Sequence, residues 1–282
     1  MSEQRDAGSV TRSVARAMEL LQAFDETRPE LGVTELGRLT GIDKSTVYRL
    51  LGSLQRGGLI EQNPETSKYY LGFGLVRLAG LALQHLDLPR MARPHLRRLA
   101  EASQETVNLS VMTSDGQIVN IEGVNSPRMV RNVGWIGREM PIHAVSAGKV
   151  MMAHLAEKQV DRILARELKA FTEHTVTDQG ELQKELEQIR RQGYGIAEEE
   201  LEMGLSAVAA PIWSHEGQVA ASISISGPSF RLPRERLVEL GIEVKRVADT
   251  ISQKMDHISK LDSGEFGSIR AEDPELHGSR QI

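Results

Sequence analysis

Val47, Leu50, Leu51 and Leu54 fall at i, i+3, i+4 and i+7, so this stretch is predicted to be a helix with one buried face. Asp43 stands at its start as a cap, and Gly57-Gly58 closes it. Just ahead, VTELGRLTGI reads as a shorter helix, with Thr34 as the expected N-cap, Leu36 and Leu39 as its apolar stripe, and Gly41 as the left-handed residue of a tight inter-helix turn. Earlier still, Val14, Ala17, Met18, Leu21 and Phe24 recur at helical spacing, which predicts a helix over 13–25 ended by Arg28, Pro29 and Gly32. After the third helix, LIEQNPETSKYYLG reads as strand, turn and strand, the turn opening at Asn63-Pro64. Three helices followed by a hairpin predict a winged helix-turn-helix over residues 10–72.

The outer face of the third helix presents Lys44, Ser45, Thr46, Tyr48, Arg49 and Ser53, with no acid after the cap. Short hydroxyls, cations and an aromatic suit phosphate oxygens and base edges, although a plain solvated face would also be polar. The hairpin favours the first reading, because a winged helix places its third helix in the major groove and its hairpin tip, here Ser67 and Lys68, near the flanking backbone. A net charge of -5 does not by itself suggest a nucleic-acid binder, and acids and bases balance between Val10 and Leu71. Any DNA contact must therefore come from a local grouping of cations.

A chain of 282 residues exceeds most single cores, so two domains are expected. The absence of cysteine excludes disulfides, thiolate zinc and a cysteine nucleophile, and fits a reducing compartment. No stretch approaches the roughly 20 apolar residues of a membrane span, and no signal peptide is visible. A soluble, cytoplasmic protein with no membrane partner is expected. The polar ends, residues 1–9 and 261–282, read as disordered tails.

Residues 73–87 are apolar at Leu75, Leu78, Ala79, Ala82 and Leu83 and read as a helix, packed on its own domain or linking the two halves. Beyond Pro89 a helix is predicted over 90–105, then a hairpin around Asp115-Gly116. Further strands are expected at 129–133, 207–213 and 219–226, with helices over 147–155, 157–167, 181–192 and 233–258. Antiparallel strands with segregated helices make residues 88–260 an α+β domain.

Within that domain, the period of two in ASISISGP sends Ser222, Ser224 and Ser226 to one face and Ile223 and Ile225 to the other. The serines face either water or a pocket. Leu205, Ala207 and Ala209 share a face whose small side chains leave room for a ligand or for a helix. HAVSAGKV reads as a loop ending at Ser146 and a helix whose first amides, around Ala147 and Gly148, suit an anion such as a carboxylate.

SVARAMELLQAF, VTELGRLTGIDKSTVYRLLGSLQRGGLIEQ and YYLGFGLVRLA resemble the N-terminal domain of the IclR family of transcription regulators, and the similarity continues to near the C-terminus. The resemblance implies that Lys44, Ser45, Thr46, Tyr48 and Arg49 face operator DNA. It implies too that residues 73–87 form a linker helix contributing to dimer contacts, and that the C-terminal domain is GAF-like. The family's effector pocket uses this HAVSAGK loop, the Gly-Leu pair ahead of the next strand, and the serines of SISISGP. That carries over to Ser146, Ala147, Leu205, Ala207, Ser224 and Ser226, with Met129 and Asn132 as further walls. Ala197 and Ala207 stand where one branch of the family carries an acid and a cysteine or similar polar residue, which points to a ligand other than that branch's small oxo acids. Glu198, Glu199 and Glu200 read as a solvated acidic edge in preference to a pocket wall.

Enzyme readings fail on spacing. Gly148-Lys149 lacks the first glycine of a phosphate-binding loop, and Val150 stands where its Ser or Thr belongs. His143 has serines nearby but no nucleophile elbow, and reads as structural. No histidines pair at metal-ligand spacing, so neither metal nor cofactor is expected. The expectation is a transcription regulator, a repressor in its mode, working as a homodimer or dimer of dimers. Its partners are double-stranded operator DNA and a small carboxylate effector. The competing reading is a small-molecule sensor or enzyme using its winged helix for protein contacts.

Overall fold

The computed structural model describes residues 11–25, 27–84, 87–131 and 136–262. The tails expected to be disordered, His85 and Asn132 lie outside these, apart from the first residues of the C-terminal tail. The chain divides into two compact units, Met1–Asp87 and Leu88–Ile282.

In the first unit, α1 (Arg12–Gln22), α2 (Val33–Thr40) and α3 (Lys44–Arg56) precede a hairpin of β1 (Ile60–Gln62) and β2 (Tyr69–Leu71), and α4 (Phe73–Gln84) follows. The helices meet over Leu20, Leu36, Val47, Leu51, Leu54 and Ile60, all buried. Asp43 caps α3 by accepting from the Thr46 amide at 2.9 Å, and Gly41 takes the left-handed conformation (φ 71°) that the turn requires. Leu31 exchanges both backbone hydrogen bonds with Tyr69, so the segment before α2 adds to the hairpin.

Two expectations fail here. The cap of α2 is Gly32, not Thr34, because Glu35 reaches back to accept from the Gly32 amide at 2.8 Å. Glycine has no side chain, so only this half of a capping box exists. Leu39, Val14 and Met18 are exposed instead of forming part of the core, which keeps Leu36 of the expected stripe and adds Leu20.

The second unit is a six-stranded antiparallel sheet in the order β5-β4-β3-β8-β7-β6, where β3 is Thr106–Met112, β4 Ile118–Val124, β5 Glu139–Met140, β6 Gly195–Glu198, β7 Leu205–Trp213 and β8 Val219–Pro228. On one face pack α5 (Asp87–Ser103) and α9 (Arg234–Asp262), over Leu96, Leu109, Val208, Ile223, Ile225 and Leu240. The other face carries α6 (Ser146–Ala153), α7 (Glu157–Leu164) and α8 (Gln179–Gln192), over Val150, Met152, Leu182, Leu186 and Ala209. The alternation of β8 is thus resolved: its isoleucines serve the first layer, and its serines are buried toward the second.

No strand forms over 129–131, the described part of the strand expected at 129–133; β5 lies later. β6 was not foreseen. At its end Glu199 adopts a left-handed conformation (φ 57°) and its amide donates to the Leu205 carbonyl at 2.9 Å, which turns the chain toward β7.

His143 is buried and His154 half-buried on the α6 side, and desolvation lowers both pKa values below the ordinary 6.5. Neutral imidazole is therefore favoured in the folded state, and below 6.5 the unfolded chain binds more protons. Stability should be complete above that value and fall as pH drops through the lowered folded pKa. Urea denaturation is expected to give a higher midpoint at about pH 7.5 than at about pH 5.5, with His154→Phe narrowing the gap. An unchanged gap in that variant would remove His154 from the account. Phe suits the site because His154 packs edge-on against Trp213 and its Nε2 has no partner.

Candidate functional site

On α3, Lys44, Ser45, Tyr48, Arg49 and Ser53 are exposed and Thr46 half-buried, opposite the apolar stripe that anchors the helix. Tyr48 is 68% exposed, an unusual position for an aromatic on a face that only water touches. Their freedom differs. The Ser45 hydroxyl donates to Asp43 at 2.7 Å, and Ser53 accepts from Arg56 at 3.2 Å. Lys68, on the hairpin, is tied to Glu35 at 3.1 Å, so its charge is partly spent within the fold. Among the described residues neither Lys44 nor Arg49 forms an ion pair, which leaves two cations on this face.

In the second unit a cavity of about 60 Å³ opens between α6 and the sheet. Its walls include Ser146 and Ala147 of α6, Leu205 and Ala207 of β7, and Ser224 and Ser226 of β8. Those are the carried-over residues, except that Met129 is 96% exposed and does not line it. Sheet register explains the convergence. Ala197, Ala207 and Ser226 form one row across β6, β7 and β8, and Asn108 pairs with Ser224 in the neighbouring row. Residues opposite one another in a ladder share a face.

Ser146, Ala147 and Gly148 begin α6, so their amides have no partner within the helix. Helix α6 can lie this close because residue 148 is glycine: a Cβ there would stand 2.1 Å from the Ile142 carbonyl oxygen.

Sequence reasoning missed several walls. Asn108, Ser110 and Asn120 supply polar groups, the Ser110 hydroxyl donating to Asn120 Oδ1 at 2.7 Å. Glu200 also lines the cavity and is 5% exposed, which corrects the acidic-edge reading of residues 198–200. Its partner is Lys149, fully buried, whose ammonium donates to Glu200 at 2.5 Å and to Glu185 at 2.6 Å. Burial pushes the Glu200 pKa up from its ordinary 4.5, opposed by the Lys149 charge. The available signal was the lone lysine in SAGKVMMA, a helix otherwise without charge. Such a lysine needs a buried acid.

Among the described residues no grouping of three or more histidines and acids could hold a metal ion, and no helix is long and apolar enough to cross a membrane.

Comparison with known proteins agrees with this architecture. The IclR helix-turn-helix domain model matches residues 13–64, and the model for the bacterial transcriptional regulator IclR C-terminal matches residues 80–253. The chain is 38% identical to the HTH-type transcriptional regulator KdgR of Escherichia coli, covering 87% of this chain and 93% of the relative. It is 34% identical to the transcriptional repressor IclR of the same organism, covering 86% and 89%. A crystal structure of an IclR homolog complexed with 4-hydroxybenzoate, from Microbacterium hydrocarbonoxydans, has a TM-score of 0.74 at 27% identity, covering 86% of this chain and 99% of that one. The first two relatives are named as a transcriptional regulator and a transcriptional repressor. With both halves matched, the chain belongs to the IclR family of bacterial transcriptional regulators.

Proposed function

We propose that residues 10–72 bind double-stranded operator DNA through α3, that residues 88–260 bind a small organic acid in the cavity, and that the acid alters operator affinity. The observation that carries the reading is the cavity itself: buried serines and the open first turn of α6 converge where no side chain of the protein fills the space. Unpaired amides at a helix start favour a carboxylate. A relative bound to 4-hydroxybenzoate and a relative named as a repressor support an organic acid and a repressing mode.

The regulator acts in the cytoplasm as a homodimer or dimer of dimers. Support for that comes from apolar side chains left uncovered on α4, namely Phe73, Val76, Leu78 and Leu81, with Val14 and Met18 on α1. A dimer presents two α3 helices to successive major grooves.

Mobility shift and footprinting on fragments from the protein's own upstream region test the proposal at fixed salt. A protected near-palindrome is expected. Arg49→Ala should weaken specific binding roughly ten- to a hundredfold while leaving the fold intact, as loss of a base-reading arginine costs about 1–3 kcal/mol. Uniform, weak, salt-sensitive binding unaffected by Arg49→Ala would favour a winged helix used for protein contacts.

A further inference from the structure

Arg16 lies on the inner side of α1, and its head group has no partner within the chain. It stands one helical turn before Leu20, so it continues the stripe by which α1 packs on α3 in the buried cluster of Leu20, Val47 and Leu51. The residue is half-buried, although charged. Its charge is felt at the cap of α3: hydrogen bonds from Ser45 and Thr46, and then the nearby Arg16 guanidinium, hold the Asp43 carboxyl well below the usual carboxylate range. Yet Arg16 and Asp43 do not pair. Asp43 Oδ1 is taken by the Ser45 hydroxyl at 2.7 Å and the Thr46 amide at 2.9 Å. Among the described residues no group accepts a hydrogen bond from Arg16, and no carboxylate lies within ion-pair distance of it.

An arginine in this state is prepared for a partner outside the chain. Half-burial with an unpaired head means that the stem is covered while the guanidinium reaches water. A head held by its stem loses little further freedom on meeting an anion, and its planar fork matches the oxygens of a phosphate. Lys44 follows Asp43 and also forms no ion pair among the described residues, so the acid at the start of α3 stands between two free cations. A helix lying in the major groove brings its first turn to the base edges, and the groups beside that turn to the phosphates that border the groove. On the reading of α3 as the operator-binding helix, we infer that Arg16 is a phosphate-binding residue, gripping the DNA backbone at the edge of the groove that α3 enters. It reads no base. It extends the DNA-binding surface from α3 and the hairpin to α1, and fixes how α3 is seated.

Fluorescence anisotropy of the full-length protein on two labelled duplexes tests this, one retained from its own upstream region and one of the same composition with scrambled sequence. Arg16→Ala should weaken binding to both alike, about fivefold to tenfold near 0.1 M salt, because each lost phosphate contact lowers the slope of log affinity against log salt by about 0.9. For the same reason the deficit should roughly halve when the salt is doubled. Arg16→Lys, which keeps the charge, should restore the slope. Lys158→Ala, which removes an exposed cation from α7, should leave it unchanged. A loss confined to the upstream duplex would make Arg16 a base reader, and weaker binding at an unaltered slope would make it a support of α3. Either result overturns the inference, as does a variant that binds like the wild type. Should Arg16→Ala fail to fold by circular dichroism, Arg16→Gln, of similar length and without the charge, makes the same comparison. A wild-type protein that binds neither duplex at any salt would overturn the reading of α3 and the inference with it.

Discussion

Replacing Lys149 by Met is expected to destabilise the second unit by about 3–5 kcal/mol, the range seen when one partner of a buried ion pair is removed and the other is left behind. Lys149 has no exposed surface, and Glu200 beside it is almost as deeply buried. Glu185, the second carboxylate on the ammonium, is 39% exposed and can turn to water, so most of the penalty falls on Glu200. The variant has a distinctive pH response. Without the ammonium the Glu200 pKa rises further above its ordinary 4.5, and a carboxyl whose folded pKa is raised contributes stability below its unfolded pKa that is lost as pH rises through the folded one. The deficit should therefore be smaller near pH 5 than near pH 8, each tenfold gain in the carboxylate's proton affinity being worth roughly 1.4 kcal/mol. Urea denaturation at the two pH values measures it. Adding Glu200→Leu should recover much of the loss, since apolar groups of similar volume often replace a buried pair without penalty. A single variant as stable as the wild type at neutral pH would show that the pair is hydrated in solution.

How far these features were legible depends on the distance over which each was decided. The stripe of α3, its Asp43 cap and the turn at Gly41 are set within a few residues, and pattern reading finds them. Periodicity also places α1, but it does not say which apolar residues gain cover: Leu20 is buried whereas Val14 and Met18 remain outside. That outcome depends on where α2 and α3 cross. The cap of α2 escaped because the deciding group, the Glu35 carboxylate, reaches back to a glycine with no capping side chain. In β8 the alternation separated Ser224 and Ser226 from the isoleucines, yet helices cover both faces of the sheet, so polarity alone did not say that the serines turn inward. Glu200 was the hardest. Its partner lies 51 residues away on another element, and in the run Glu198 to Glu200 local composition favours water. The left-handed Glu199 and the short β6 turn it inward, and neither leaves a signal in a single sequence.

Gly148→Ala is expected to damage ligand binding and stability together, because the obstruction is backbone. The new methyl carbon would stand 2.1 Å from the Ile142 carbonyl oxygen and 2.7 Å from its carbonyl carbon and Cα. A flexible side chain could swing aside; this carbonyl belongs to the turn leading into α6 and cannot do so without moving that turn. Overpacking of this kind costs about 1–3 kcal/mol and occasionally more, and a backbone clash belongs at the upper end. The strain is relieved only by withdrawing the start of α6, and Ser146 and Ala147 move with it out of the cavity wall. Organic acids that stabilise the wild type should consequently lose most of their effect on the variant's melting temperature, while DNA binding by the first unit, whose core shares no residue with α6, persists. Gly80, where an added Cβ meets nothing within 4 Å, provides the control: Gly80→Ala should leave acid binding unchanged. An acid response of wild-type size in Gly148→Ala would mean that the close approach of α6 is not what shapes the site.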